Sequence, residues 1–308
     1  MKITLLFGAG ASYGSGACNP HVPPLGNNLF TELEKHGETF FNLSTDNKQI
    51  FINHGFEQGM ASLPNDSRIL NPLQKEIALY LSKFTIKPEN AYVRFFSKIK
   101  DILPSITIAT LNYDILIEQA LGYIGIPTDY NFPPKNNHAN VLKPHGSSNF
   151  LLDLDLCPRV SGITAIDCQS FYDGFPTKAV QSHDEVKAWC SDIRSSDFSP
   201  VLALYEKGKR VVVNNTVIKK IQDDYANAIS TSDLVVLVGV KYIEHDEHIW
   251  KPLENNKTNL IIVDPYPDDT ISWVRKNQFK DVALIKKGFD EAVIPLSRKI
   301  KLHTLANG

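Results

Sequence analysis

Ile3-Thr4-Leu5-Leu6-Phe7 runs without interruption into Gly8-Ala9-Gly10-Ala11-Ser12. A short β-branched and apolar run of this kind suits a strand buried on both faces, as in the middle of a parallel sheet. Glycines placed directly after it allow a tight turn and close backbone approach, because they lack a Cβ and reach positive φ without a steric cost. The far end of the chain repeats the theme. Apolar runs at Leu234–Val238, Leu260–Val263 and Val282–Ile285 alternate with helical patterns at 247–255, 269–276 and 290–298. Strand and helix alternating at that spacing build βαβ units with right-handed crossovers. The expected fold class is therefore α/β: a Rossmann-like parallel sheet with helices on both faces.

Between these ends the pattern changes. Leu29, Leu33 and His36 have helical spacing, which predicts a helix over 28–36 with Asn27 or Asn28 as its N-cap. Residues 40–104 keep a helical pattern broken at Pro64, Pro72, Pro88 and Pro104, and read as a helical insertion or cap carrying no strand. A strand follows at 106–111, then a helix over 114–121, and a short strand at Val141–Leu142. Residues 153–200 show no sustained period and read as an irregular insertion. At 308 residues the whole chain is expected to form one domain, 1–308, that contains both insertions.

Composition narrows the function. Lys and Arg total 32 against 34 Asp and Glu, a formal net charge of -2, which disfavours a ligand read through clustered phosphate contacts, and no direct sequence-specific nucleic-acid binding is expected. The short cluster Arg298-Lys299-Ile300-Lys301 reads as a solvated helix end. Cys18, Cys157, Cys168 and Cys190 form no C-x-x-C pair, so neither a zinc module nor a dithiol redox motif is expected, and no metal ligand set stands out. The apolar runs are far shorter than the roughly 20 residues needed to span a bilayer. A cytoplasmic protein with reduced thiols and no membrane contact is expected.

Ligands of open parallel sheets bind beyond the carboxyl ends of the strands. Five groups of residues fall there. Gly8, Ala9, Gly10 and Ser12 can present backbone N–H groups and a helix N-terminus to a pyrophosphate, although Tyr13 occupies the third glycine position of the dinucleotide fingerprint, and a glycine turn that merely fits the fold would look the same. Asn112 and Asp114 follow the strand at 106–111. Asp114 suits a helix cap, whereas an amide such as Asn112 can hold a ribose hydroxyl or a water by donor and acceptor together. His145, in His145-Gly146-Ser147, is either structural or a base whose pKa near neutrality suits proton transfer. Gly239 either ends its strand or lets backbone approach a ligand. Asp264 is either a turn residue before Pro265 or a carboxylate for the adenosine ribose.

Taken in order, Gly-Ala-Gly-Ala-Ser, Thr110-Leu111-Asn112-Tyr113-Asp114, His145-Gly146-Ser147, Val238-Gly239-Val240 and Val263-Asp264-Pro265 resemble the motif series of the sirtuin-like superfamily. The chain is most similar to the sirtuin-like NAD hydrolases of bacterial phage-defence systems, through Pro23-Pro24-Leu25-Gly26, Asn112-Tyr113-Asp114 and the acidic stretch His245-Asp246-Glu247. That resemblance implies cleavage of the nicotinamide–ribose bond of NAD, with NAD as substrate and no further cofactor. It implies Asn112 and His145 as the catalytic pair and Asp114 as support on the nicotinamide ribose side. It places the phosphates over Gly8, Ala9, Gly10 and Ser12, and the adenosine half near Gly239, Asp246 and Asp264. It also implies an anti-phage effector held in check by homo-oligomerisation or by a partner ATPase of the translocase type. Two departures from deacetylase relatives stand out: the four-cysteine zinc module is absent, and Val240-Lys241 replaces Thr-Ser after the late glycine. Deacylation and ADP-ribosyl transfer are disfavoured on that account, while a non-catalytic NAD-sensing module remains the alternative reading.

Overall fold

The computed structural model describes residues 1–64, 66–156, 173–203 and 213–306. Strand β1 (Ile3–Phe7) enters the short helix α1 (Ala9–Tyr13), followed by β2 (Cys18–Asn19) and α2 (Gly26–Lys35). The helical insertion comprises α3 (Thr45–His54), α4 (Phe56–Ser62), α5 (Ser67–Ser82), the short strand β3 (Thr85–Ile86) and α6 (Ala91–Lys98). The chain returns to the sheet as β4 (Ile106–Thr110), α7 (Leu116–Tyr123), β5 (Thr128–Asp129) and β6 (Ala139–Leu142). A two-stranded excursion, β7 (Phe150–Leu152) and β8 (Thr177–Ala179), precedes α8 (His183–Ser191) and α9 (Asn215–Ser230). The last third alternates as expected: β9 (Leu234–Val238), α10 (Glu247–Asn256), β10 (Asn259–Val263), α11 (Asp268–Lys276), β11 (Val282–Ile285) and α12 (Phe289–Ala306).

Seven strands form one sheet in the order β11-β10-β9-β1-β4-β6-β5, and each pairing is parallel. The chain leaves β1 toward β4 on one side and later resumes at β9 on the other, so the order reverses between β1 and β9. A reversal of that kind opens a crevice at the carboxyl ends of the two strands. All five residues of β1 and all five of β9 are buried, which their apolar sequence requires of central strands. Phe7 packs edge-on against Tyr92, Phe95 and Phe96 of α6 and against Phe289 of α12, so the helical insertion and the last helix close over the same face of β1.

Several boundaries differ from expectation. The insertion does carry a strand, since Thr85 and Ile86 pair antiparallel with Asn19 and Cys18. Helix α2 begins at Gly26 with Leu25 as N-cap, so neither Asn27 nor Asn28 caps it. Helix α7 starts at Leu116, because the Asp114 carboxylate accepts from the Leu116 N–H and holds the preceding turn open. Residues 153–200 are not wholly irregular: α8 lies inside them, fixed by a capping box between Ser182 and Glu185, whereas 157–172 fall outside the described residues. Cys18 and Cys190 are free thiols; Cys157 and Cys168 also lie outside the described residues. Among the described residues no helix is long and apolar enough to cross a membrane.

Candidate active site

The floor of the crevice is backbone against backbone. The Gly8 N–H donates to the Val238 carbonyl at 3.0 Å and the Gly10 N–H to the Gly239 carbonyl at 3.1 Å, which zips the turn after β1 to the end of β9. Gly239 has φ +60, and a Cβ there would lie 2.2 Å from the Ala11 nitrogen. The late glycine is therefore demanded by close packing, and the N–H groups of Gly8 and Gly10 are engaged within the protein. Ala9 stands exposed at the first turn of α1.

Asn112 joins this floor from β4. Its amide nitrogen donates to the Gly8 carbonyl at 3.0 Å and to the Ser12 hydroxyl at 2.9 Å. Two donors on one nitrogen are thus taken, and the Oδ1 acceptor is the part of the amide left for a ligand. Ser12 Oγ also lies 3.2 Å from the Tyr92 hydroxyl. Asp114 is buried, and burial raises its pKa, opposed chiefly by the Lys143 ammonium and then by the Ser12 hydroxyl and the Leu116 N–H.

Lys143 is a feature that the sequence reading missed. It is fully buried at the end of β6, donating from Nζ to the Asp114 carbonyl at 2.6 Å and to Glu118 at 2.9 Å. Glu118 also accepts from the Tyr130 hydroxyl. This ion pair pins the start of α7 to the end of β6 and so fixes where His145, two residues later, emerges. Gly146 then turns at φ +80, with a Cβ position only 2.0 Å from the Val201 carbonyl. The Ala203 N–H donates to the His145 carbonyl and the Ser147 N–H to the Val201 carbonyl, so the loop is clamped on both sides of the histidine.

His145 is 3% exposed and meets the segment after β9. Its Nε2 lies 3.1 Å from Nε2 of His248 and 3.8 Å from Oδ2 of Asp246. Asp246 is buried and its carboxyl is pushed up to about 8, mainly by desolvation and secondarily by the Glu57 carboxylate. Glu57, on α4, also stands 3.9 Å from Nε2 of His245. Strands β6 and β9 are separated in the sheet by β4 and β1. At about 4.8 Å per strand the segments after them start some 14 Å apart. Their meeting at His145 brings the two segments together across the strands β1 and β4 that lie between β6 and β9 in the sheet. Tyr113 feels the charges of both Glu57 and Asp246, which shows the same convergence from the β4 side.

The expected residues thus separate into three placements. Gly8, Gly10, Ser12, Asn112 and Gly239 share the floor, while His145 and Asp246 share the roof, with Asp246 on the histidine rather than held apart from it. Asp264 lies at the end of β10, half-buried, where its Oδ1 accepts from the Tyr266 N–H at 2.7 Å. It is a turn residue whose carboxyl is nevertheless raised by burial.

Among solved structures, a Sir2 homolog in complex with NAD matches 98% of this chain and 90% of its own, at 15% identity and a TM-score of 0.52. The fold is the Sir2 fold. Two mutants of a Sir2 homologue, each in complex with ADP-ribose, also match over 98% of this chain and 93% of theirs, at 13% identity and TM-scores of 0.46 and 0.45. No protein-family profile and no curated protein sequence matches the chain. Among the described residues, neither Cys18 nor Cys190 is paired with another cysteine.

Proposed function

We propose that this chain is an NAD hydrolase that cleaves the bond between nicotinamide and ribose, giving nicotinamide, ADP-ribose and a proton from NAD and water. Two observations support the reading: Asn112 bonds to the glycine turn after β1, and His145 meets Asp246 and His248 of the segment after β9, all at the carboxyl ends of the same parallel sheet. The cationic nicotinamide is a good leaving group, so the site needs placement and charge stabilisation more than a strong acid. Asn112 Oδ1 holds the water or a ribose hydroxyl. His145 Nε2 takes the proton from that water, with Asp246 and His248 beside it to receive or balance the charge. Asp114 sets the turn that aims Asn112. Ala9 and the first turn of α1 face the phosphates, and Gly239 and Asp264 border the adenosine half.

The test is release of nicotinamide from NAD by the purified chain. General-base assistance contributes about 10²- to 10⁴-fold, so His145→Ala and Asn112→Ala are each expected to lower the rate by about that factor. Release by both variants at the wild-type rate would overturn the assignment.

One observation favours a second reading, an NAD sensor without turnover. His145 and Asn112 are only 3% and 7% exposed, so the described conformation is closed. Retention of NAD through a long incubation without nicotinamide would support the sensor. In the hydrolase reading the same closure is a resting state. Supported by the resemblance to phage-defence hydrolases, we propose a cytoplasmic effector whose opening is controlled by homo-oligomerisation or by a translocase-type ATPase partner. A monomer fully active on its own at low concentration would argue against that control.

A further inference from the structure

His145, Asp246 and His248 form a group whose use is wider than proton transfer. One ligand-capable atom from each lies within 4.8 Å of the other two. The two imidazole nitrogens approach to 3.1 Å and the carboxylate oxygen stands 3.8 Å from the nearer ring. Ligands bound at 2.0–2.1 Å around a tetrahedral zinc are about 3.4 Å apart, midway between those two separations. Little movement separates the present arrangement from a three-ligand set. Two of the residues are rigidly placed: the His145 loop is clamped by Val201 and Ala203, and Asp246 directly precedes α10, accepting at its carbonyl from the Ile249 and Trp250 N–H groups. His248 lies in the first turn of that helix and is partly exposed, which provides the entry path.

We propose that these three side chains bind one divalent cation of the zinc class, with a fourth position open to water. Two imidazoles and one carboxylate match zinc, whereas magnesium and calcium favour all-oxygen shells. Asp246 and the nearby Glu57 supply negative charge that would offset that of the ion. The ion would be an inhibitor and not a cofactor, because it occupies the His145 Nε2 lone pair. That consequence rests on the hydrolase reading; the site itself does not.

Cobalt(II) and zinc titrations of the full chain test it. The wild type is expected to take up one equivalent of cobalt with the visible absorption of a four-coordinate ion, and zinc is expected to displace it. His248→Ala and Asp246→Asn each remove a direct ligand and should weaken uptake by more than the roughly 100-fold upper loss seen for outer-shell partners. His248→Cys should keep the ion and add a thiolate-to-cobalt charge-transfer band, a signature that only a direct ligand produces and only a folded protein can show. Absence of stoichiometric cobalt uptake by the wild type, or uptake unchanged in both His248→Ala and Asp246→Asn, would overturn the site. Nicotinamide release read alongside keeps the two ideas apart. Metal uptake without any NAD turnover leaves the site standing and removes the hydrolase, while turnover that zinc does not slow, with no uptake, does the reverse.

Discussion

At the scale of single residues, the informative groups are those that the fold holds at a cost. The Asp264 carboxyl is raised by burial, with the Tyr266 N–H pulling the other way. A carboxyl whose folded pKa lies above its unfolded value binds more protons when folded, so stability falls as pH rises through that window. At neutral pH the ionised form therefore costs stability. Asp264→Asn is expected to raise the thermal midpoint at pH 8, and the gain is expected to vanish in acid, where aspartic acid is already neutral. Calorimetry at both pH values checks this, and a gain of equal size at both would show that burial of charge is not the cause. In the hydrolase reading the same variant weakens NAD binding, the expected exchange of stability for function. Asp264 and Gly239 were legible in the sequence because each directly follows an apolar run. His248 was not, since its significance depends on a contact with His145 across 103 residues.

Among elements, strand length decided what could be read. Strands β1, β4, β9, β10 and β11, of four or five residues each, announce themselves as apolar runs, whereas β2, β3 and β5 are two residues each and exist only through pairing. Helix α9 carries a signal of its own in the sequence: Ile218, Ile221, Tyr225 and Ile229 recur at helical spacing and are buried. The Ser182-x-x-Glu185 capping box was an equally available signal for α8. Lys143 illustrates the opposite case, because a lysine at a strand end reads as solvated until its partner Glu118 on α7 is seen. Removing one member of a buried pair leaves an uncompensated charge, at about 3–5 kcal/mol. Lys143→Met is expected to lower unfolding free energy by about that much, and Lys143→Met with Glu118→Gln to recover a large part of it. Denaturant titrations decide, and a double variant no more stable than Lys143→Met would show that the contact to the Asp114 carbonyl matters more than the charge pair. At Gly146, a positive φ and the close Val201 carbonyl make Gly146→Ala costly; backbone strain alone is about 1–3 kcal/mol. In the hydrolase reading, the accompanying shift of His145 is expected to lower nicotinamide release well beyond the loss of folded protein, measured by normalising rate to the folded fraction.

For the molecule as a whole, the two insertions and the parallel sheet are not independent parts. Helix α4 brings Glu57 to His245 and within electrostatic reach of Asp246 and Tyr113, so the helical insertion touches the roof of the crevice directly. The segment at Val201–Ala203, beyond α8, clamps the His145 loop from the other direction. Parts far apart in sequence therefore meet around one buried histidine, and a ligand that reaches the floor has to displace some of them. Of these contacts, the pairing of Glu57 with His245 is the most exposed, with both side chains more than two-fifths accessible. Exposed ion pairs contribute about 0–1 kcal/mol, so this is the contact that opens at least cost. Opening is expected at α4 and the 241–248 segment, not at the clamped loop after β6. Amide hydrogen exchange with and without ADP-ribose measures it. Without ligand, α4 and 241–248 should exchange faster than β1 and β9, and ADP-ribose should slow them while leaving residues 145–147 slow in both states. Fast exchange at 145–147 without ligand, with α4 protected throughout, would place the gate on the opposite wall.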